Sequence, residues 1–435
     1  MKLKIFILLL AVIVVASCRK SDYLLEGSGE TITDNGFGTG TVTWSKDKDY
    51  VLEGLVFVND GQTLTIEAGT VVRFRVGQAE NASALIVARG GKIIANGTPD
   101  EPIIFTVEGD DLNGSIDKNV RGLWGGLILL GNAPINMDGG EASIEGIPLA
   151  EPRGIYGGIN ENDDSGILKY VSIRHGGTNI GEGNEINGLT LGGVGSATDI
   201  DYVEVIANAD DGVEIFGGTV NLQHMVVSGC DDDAFDYDLG WSGNGQFWLG
   251  VQNGLVGDNL IEAGGGVDPV YGLPHSLPNI FNITMVGNGD SNGGNTILFD
   301  NNAGGLIANS VLMNKRNGVL LEVSDQQHDS YSQWQNGKLG VKNNIFYQIA
   351  STTGSTFKLT GNYTPEMQNE WLAAFNTSKN EIANPMIDTE SGSYLPEEKI
   401  KGDLHDFPLP WFQIVDFKGA FGEDDWTQGW TLLAE

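Results

Sequence analysis

The chain has 435 residues, and its 58 acidic side chains against 24 basic ones give a formal charge of -34. So large a negative charge argues against nucleic acid or an anionic lipid surface as a partner. The 63 glycines and a charged fraction of only 19% favour an all-β chain with many tight turns, and a hydrophobic content of 40% is enough for a packed core.

The N-terminus has the pattern of an export signal. It reads MKLKIFILLLAVIVVASC, in which two lysines precede an apolar run that ends in small residues at a cysteine. This pattern predicts a signal peptide over residues 1–17 rather than a membrane-spanning helix. The Val-Ala-Ser-Cys ending resembles the bacterial lipobox, so Cys18 is the predicted site of lipidation. Palmitate is among the fatty acids expected there. An ordinary cleaved signal or a single anchor helix is the alternative. Cys230 is the only other cysteine, so no intramolecular disulfide is expected.

Residues 18–48 are polar and glycine-rich and predict a flexible tether. From residue 49 to residue 350, segments such as VLEGLVFVNDGQTLTIEAGTVVRFR alternate apolar and polar residues between Gly, Asn and Asp turns, which indicates short β-strands. No segment of this region favours a helix of ten residues.

Residues 351–435 are predicted to form a C-terminal cap, because the open end of a stack of strands exposes both core and strand edges. Their segment PEMQNEWLAAFNTSKNEI favours one short amphipathic helix. Its apolar face would consist of Met367, Trp371, Leu372 and Phe375.

A repeat near the middle of the chain sets the expected spacing. The segment YVEVIANADDGVEIFGG (202–218) aligns without a gap on HMVVSGCDDDAFDYDLG (224–240), 22 residues later. Such a repeat is typical of a β-solenoid, in which matched residues lie on adjacent rungs roughly 4.8 Å apart. The alignment pairs Asp210 with Asp232, Asp211 with Asp233 and Glu214 with Asp236.

Several long strings resemble a family of secreted or lipid-anchored Bacteroidetes proteins with a right-handed parallel β-helix. They include ALIVARGGKIIANGTPDEPIIFT, RGLWGGLILLGNAPIN, LKYVSIRHGGTNIG and YVEVIANADDGVEIFGGTVN. The resemblance covers about residues 45–435 and implies that fold and an outer-membrane lipoprotein. It implies no particular activity. The tripeptide Lys20-Ser21-Asp22 also resembles the tags that send such lipoproteins to the cell surface.

Carboxylates on adjacent rungs repel each other by roughly 3 kcal/mol if the effective dielectric constant is about 20. A bound cation, a raised pKa or side chains turned into water would relieve the repulsion. Aspartates in glycine-rich turns offer the oxygen ligands that Ca²⁺ prefers. The candidate ligands are Asp210, Asp211, Glu214, Asp232, Asp233 and Asp236, with Asp238 close by. Alternatively, the aspartates cap turns by accepting hydrogen bonds from backbone N–H groups.

The same residues allow a catalytic interpretation. The carboxylates of a polysaccharide hydrolase or lyase would be Asp210, Asp211, Asp232 and Asp233. Between Arg174 and Lys315, however, no lysine or arginine is available as a base. Lys169 and Arg174, or Lys315 and Arg316, would have to fold back onto the acidic rungs.

Three aromatic residues follow the acidic repeat in a glycine-rich segment, namely Trp241, Phe247 and Trp248. If exposed, they could stack on sugar rings, and if buried, they are core. His175, His224 and Cys230 are expected to be core or turn residues.

These observations favour a non-catalytic binding or scaffold module, possibly stabilised by Ca²⁺, on the cell surface. Its expected partners are the outer membrane through the lipid, and a glycan or an outer-membrane protein. We expect a monomer or a subunit of a membrane complex. A polysaccharide hydrolase or lyase is the alternative.

Overall fold

The computed structural model describes residues 29–434, apart from residues 182–183, 255, 267, 290–292, 350–355 and 403–408. Its strands form two large sheets of 18 and ten strands, and neighbouring strands within these sheets run parallel. The chain passes from one sheet to the other and returns one rung further along. This arrangement confirms the predicted all-β parallel β-helix.

Short strands bounded by turns build both sheets. The ten-stranded sheet contains Leu55–Val58, Ala84–Val87, Leu127–Leu130, Leu189–Gly192, Val213–Phe216, Phe235–Asp238, Ile261–Ala263, Asn295–Phe299, Asn317–Val323 and Phe357–Gly361. The 18-stranded sheet, called the large sheet below, contains Glu30–Ile32, Val42–Trp44, Tyr50–Leu52, Thr63–Ile66, Val71–Phe74, Lys92–Asn96, Ile103–Val107, Gly166–Arg174, Asp199–Ile206, Asn221–Ser228, Asn244–Val251, Asn279–Phe281, Thr284–Gly289, Gly305–Ala308, Val311–Lys315, Leu339–Lys342, Ile345–Ile349 and Glu381–Ile382.

Smaller elements decorate the turns. Two antiparallel pairs join Ala142–Ser143 to Ile155–Tyr156 and Asn179–Gly181 to Asn184–Glu185. The described helices are Ser330–Gln335 and Pro365–Thr377, with single 3₁₀ turns at Ala79–Asn81, Pro152–Gly154 and Thr389–Ser391.

The 22-residue repeat corresponds to one full turn of the solenoid. Glu214 lies opposite Asp236 in the ten-stranded sheet, and Val203 lies opposite Met225 in the large sheet. The predicted register of adjacent rungs is therefore confirmed. The next turn is longer, because Asp236 lies opposite Glu262, 26 residues later.

The large sheet bends around a corner of the solenoid. At the bend, four consecutive rungs place Tyr170, Tyr202, His224 and Phe247 at φ of 48°, 55°, 44° and 59°. Bulky residues rarely adopt this left-handed region, which turns the strand sharply. One long strand can therefore contribute to both faces that meet at the bend.

The predicted helix is confirmed and closes the C-terminal end of the solenoid. In Pro365–Thr377, Trp371 is buried and its ring stacks on Phe357 with centroids 4.4 Å apart. Met367, Leu372 and Phe375, the other residues of the predicted apolar face, pack against the same core. The short helix Ser330–Gln335 was not predicted.

The described part of the segment predicted as a tether belongs to the solenoid. Within residues 18–48, the strand Glu30–Ile32 pairs with Tyr50–Leu52, and Val42–Trp44 pairs with Leu64–Ile66. These strands are only three residues long, so their alternation was too brief to detect in the sequence. Residues 1–28, and with them Cys18, lie outside the described residues.

Residues 351–435 also differ from a simple end cap. The strand Phe357–Gly361 continues the ten-stranded sheet. After the helix, the last residues run back along the outer side of the large sheet, where Ala420 N donates to Thr284 Oγ1 and Leu432 N donates to Glu204 Oε2. We call residues 409–434 the tail. It covers a side of the solenoid, because its aromatic residues pack on the bend of the large sheet.

Candidate functional site

The predicted acidic residues meet along one edge of the solenoid. Five aspartates lie at the turns that lead from the large sheet into the ten-stranded sheet, and we call them the acidic corner: Asp210, Asp211, Asp232, Asp233 and Asp258. Four carboxyl groups continue from it over the outer side of the ten-stranded sheet, and we call them the acidic face: Glu145, Glu214, Asp236 and Glu262. Glu214, Asp236 and Glu262 occupy consecutive rungs, and Glu145 comes from a loop that packs against Glu214.

In the acidic corner, one oxygen of each buried aspartate holds the next rung. Asp211 Oδ1 accepts a hydrogen bond from Asp233 N at 2.8 Å, and Asp233 Oδ1 accepts one from Asn259 N at 2.5 Å. Asn259 Oδ1 continues the ladder by accepting from Asn295 N at 2.9 Å. The predicted role of these aspartates as turn caps is therefore realised at Asp211 and Asp233, across rungs rather than within one turn.

The corner and the face also bring carboxylate oxygens close enough to share a cation. Three groups have oxygens within 4.8 Å of one another: Asp210, Asp211 and Asp232; Asp211, Glu214 and Asp236; and Asp232, Asp233 and Asp258. Together they contain all six predicted ligands and add Asp258. Such an all-oxygen donor set fits Ca²⁺. In the middle group, Asp236 Oδ1 is buried and accepts no hydrogen bond from an N–H or hydroxyl group, and the Asp236 carboxyl hydrogen-bonds to that of Glu214. An oxygen suited to a cation is therefore already desolvated.

Burial makes these carboxyl groups weak acids. It raises the pKa of Asp211, Glu214, Asp233 and Asp236 well above the usual values, and neighbouring carboxylates raise them further. Glu145 and Glu214 hydrogen-bond to each other, which requires a proton between them. In the absence of a cation, the raised pKa values of Glu145, Glu214 and Asp236 favour the protonated forms of these groups.

The effect extends along the same side of the solenoid. Burial raises the pKa of Asp238 to about 6, although the hydrogen bond from Leu239 N opposes the shift. Burial and the charges of Glu262 and Glu322 raise the pKa of Asp300 to about 7.

A basic residue does fold back onto the acidic corner. Lys315 is only 1% exposed, and its Nζ donates to Gln252 Oε1 at 2.6 Å. Burial lowers its pKa to about 8, and the charges of Asp258 and Asp233 oppose that shift. The sequence could not place Lys315, because it is 57 residues beyond Asp258 along the chain.

Lys169, another candidate base, lies elsewhere, and a basic residue that was not predicted lies beside the corner. Lys169 pairs with Asp201 on the large sheet at 3.4 Å. Arg121, which the sequence did not single out, forms an ion pair with Asp231 beside the corner. Arg121 and Asp231 are 110 residues apart along the chain, so no local sequence pattern predicted the contact.

The predicted sugar-stacking residues are buried, so that prediction is wrong. Trp241 and Trp248 are 0% and 1% exposed and fill the interior, and their indole N–H groups donate to Val220 O and Leu222 O. Phe247 is 3% exposed because the tail covers it. The glycine-rich segment resembled a loop, but Asn244–Val251 is a long buried strand.

His175, His224 and Cys230 are buried, as expected for core or turn residues. Burial raises the pKa of the Cys230 thiol to about 12, so it remains protonated at neutral pH. Among the described residues, no helix is long and apolar enough to cross a membrane.

Comparison with family models decides the wider assignment. A model described as a pectate-lyase-like beta helix domain matches residues 36–431. The chain belongs to this family. Searches among curated proteins and solved structures gave no match. A pectate-lyase-like β-helix can be a polysaccharide lyase or a binding module, so the family membership leaves both of the functions considered above.

Proposed function

We propose that this pectate-lyase-like β-helix is a non-catalytic binding or scaffold module that uses Ca²⁺ at its acidic edge. The observation that supports the proposal is the group formed by Asp211, Glu214 and Asp236, whose carboxylate oxygens lie within 4.8 Å of one another. These carboxyl groups are largely withdrawn from water, and one oxygen of Asp236 accepts no hydrogen bond from an N–H or hydroxyl group.

A divalent cation would offset two unfavourable terms at once. Burial disfavours each carboxylate, and adjacent rungs add repulsion between carboxylates. Protons relieve both terms only while the pH stays below the raised pKa values. A cation relieves them at higher pH and links two adjacent rungs, which the hydrogen bond from Asp233 N to Asp211 already joins. The bound ion would therefore stiffen the solenoid as well as neutralise it.

Calcium binding is tested by thermal and urea unfolding of the intact chain at pH 8, with EDTA or with added Ca²⁺. At a free Ca²⁺ concentration 100 times the Kd, the free energy of unfolding should rise by about 2.7 kcal/mol. Asp236→Asn should remove most of this gain. Asp47→Asn, at an exposed carboxylate far from the edge in sequence, is the matched control and should keep it. Equal stability with and without the chelator would exclude calcium.

We further propose that Cys18 carries a lipid and that the module lies on the outer membrane, exposed at the cell surface, as a monomer or a subunit of a membrane complex. The lipobox-like sequence and the tripeptide Lys20-Ser21-Asp22 after it support this. A glycan or an outer-membrane protein would bind along the solenoid. Metabolic labelling with palmitate should mark the wild type and not Cys18→Ala, and protease added to intact cells should reach the protein. Co-purification from membranes would then identify the partner.

The second candidate is a polysaccharide lyase. Lys315 favours it, because a lysine with a lowered pKa beside carboxylates has the chemistry of a general base that the acidic repeat itself lacks. Acidic polysaccharides should then release unsaturated products, followed by their ultraviolet absorbance. Lys315→Met should abolish the release, and Asp211→Ala should reduce it. Activity lost in both variants would replace the non-catalytic proposal, whereas products equal in all three proteins would indicate a contaminant.

A further inference from the structure

A cavity of about 340 Å³ opens on the outer side of the large sheet, and no residue of the acidic corner or face lines it. Three segments form its walls: the loop from Asp110 to Lys118, the pair Arg174 and His175 at the end of a strand, and Leu432 of the tail. Its volume lies in the range of small-molecule sites, about 300 to 1,000 Å³.

The wall supplied by the tail is fixed by a buried carboxylate. Glu204 is 0% exposed, and it accepts hydrogen bonds from Leu432 N at 3.0 Å and Leu433 N at 2.9 Å. It also accepts one from Ser172 Oγ at 2.5 Å. These three hydrogen bonds give Glu204 a structural role. Because two of them hold Leu432 and Leu433 in place, this wall of the cavity is formed before any ligand binds.

Arg174 is the unusual residue of the cavity. It is 3% exposed, and its Nε donates to Ser172 Oγ at 2.8 Å. Within the described part of the chain, its two terminal nitrogens make neither a hydrogen bond nor an ion pair, although Arg174 lines the cavity. The buried carboxylate of Glu204 lies on the other side of Ser172 Oγ and supplies a counter-charge without a direct ion pair. The planar fork of the two terminal nitrogens is therefore left for another acceptor, and it fits a carboxylate through two parallel hydrogen bonds.

The two acidic residues of the cavity accept hydrogen bonds from groups other than Arg174. Asp110 uses one oxygen to accept from Leu112 N and the other to accept from Thr106 Oγ1. Asp117 accepts from Asn119 at the exposed rim. Lys118, also at the rim, adds a second positive charge. Asp110 and Asp117 keep their negative charges and balance those of Arg174 and Lys118, so the lining carries no net positive charge. The charged hydrogen-bond donors left to meet a ligand are those of Arg174 and Lys118.

His175 adds an acceptor. Its Nδ1 lies 2.6 Å from Val120 O, which can only accept, so Nδ1 carries the proton. Burial lowers its pKa, which keeps the ring neutral near pH 7. The second ring nitrogen, Nε2, is then an acceptor suited to a hydroxyl group.

We propose that this cavity binds a small ligand with a carboxylate and a neighbouring hydroxyl group, of the sugar-acid class. The carboxylate bonds to the terminal nitrogens of Arg174, Lys118 attracts it from the rim, and the hydroxyl donates to His175 Nε2. The site is independent of the calcium proposal and stands if the acidic edge binds no cation.

Saturation-transfer NMR titrations of the intact chain with D-glucuronate, D-glucose and inorganic phosphate test this site. Glucuronate should bind saturably, and glucose, which has the same ring without the carboxylate, at least about tenfold more weakly. Arg174→Lys keeps the charge but loses the fork, so the affinity for glucuronate should fall at least about tenfold. Lys118→Gln should weaken it about threefold, whereas Lys342→Gln, at another exposed lysine, should not change it.

Melting curves accompany each variant, and should Arg174→Lys not fold, the contrast between Lys118→Gln and Lys342→Gln decides. Three results would overturn the proposal: no saturable glucuronate binding, unchanged affinity in the variants at Arg174 and Lys118, or phosphate that binds as tightly as glucuronate.

Discussion

Two ladders of matched side chains run along this solenoid, one aromatic and one acidic, and they share the same rungs. At the bend of the large sheet, Tyr170, Tyr202 and His224 stack face to face with ring centroids 4.4 and 4.1 Å apart, and Phe247 follows at 5.0 Å. On the ten-stranded sheet, Glu214, Asp236 and Glu262 repeat at the corresponding spacing.

The same spacing has opposite consequences in the two ladders. For flat rings it is close to the favourable stacking distance, so each rung stabilises the next and helps to hold the left-handed backbone of the bend. For carboxylates it is unfavourable, and the chain tolerates it only with protons, capping hydrogen bonds or a cation. A repeated residue in a solenoid is therefore stabilising or destabilising according to its chemistry.

The aromatic ladder should be the more sensitive of the two to mutation. Trp430 of the tail is 2% exposed and meets the rings of Tyr170 and Tyr202 edge-on, at 5.6 and 6.1 Å. Trp430→Ala should lower the free energy of unfolding by about 4 kcal/mol in urea titrations, because it leaves a cavity over the ladder. Ile414→Ala, at a 76% exposed residue of the same tail, should change it by less than about 0.5 kcal/mol. Equal effects would show that the tail does not support the ladder.

The unfavourable burial of carboxyl groups on the acidic side should make the free energy of unfolding depend on pH. The pKa of Asp300 rises from 3.8 to about 7 on folding, so the folded state binds the proton more tightly than the unfolded state. Its contribution is fully present below about pH 4 and is lost as the pH rises to about 7. In EDTA, Asp300→Asn should therefore match the wild type at pH 4 and exceed its stability at pH 8 by on the order of 3 kcal/mol. A constant difference across this range would contradict the assignment.

Glu204 tests the junction between tail and sheet. Glu204→Gln replaces a carboxylate that accepts three hydrogen bonds by an amide with one oxygen, and the loss should be about 2 kcal/mol. The tail should also become more accessible to limited proteolysis, while calcium stabilisation stays unchanged. Loss of the calcium effect in this variant would mean that the two ladders are coupled.

The smallest effect is expected at Asp211, where capping and repulsion oppose each other. Asp211→Asn keeps an oxygen for Asp233 N and removes one charge, so in EDTA at pH 8 the stability should rise by about 0.5 kcal/mol. Asp211→Ala leaves Asp233 N unpaired and should cost about 2 kcal/mol. If both variants were equally destabilised, the hydrogen bond between the rungs would not be the main role of Asp211.

The sequence predicted the pairing of repeated segments and missed contacts between residues that are far apart along the chain. Two copies of one segment give the register directly, so the pairing of Glu214 with Asp236, and of Tyr202 with His224, followed from alignment alone. Glu262 escaped because its turn of the solenoid is 26 residues long. Lys315 was one of four candidate bases, but no local pattern encodes the burial and contacts that place it beside the acidic corner.

Composition could not separate alternatives that use the same residues. Trp241 and Trp248 lie among glycines, and only the three-dimensional packing shows that they fill the interior. Likewise, an aromatic-rich C-terminus is equally compatible with two arrangements, a cap over the end of the solenoid or a tail along its side. The positions of Ala420 and Leu432 against Thr284 and Glu204 distinguish them.

The course of the tail determines where an attached label would lie. Glu204, which holds Leu432 and Leu433, belongs to the sixth strand of its column counted from Glu30–Ile32, five steps or about 24 Å along the axis. A fluorophore or affinity tag fused after Ala434 would therefore project from the flank of the solenoid and not from its tip. Energy transfer between such a label and one near Gly29 would report on the position of the tail, with the N-terminal end of the solenoid as a fixed reference.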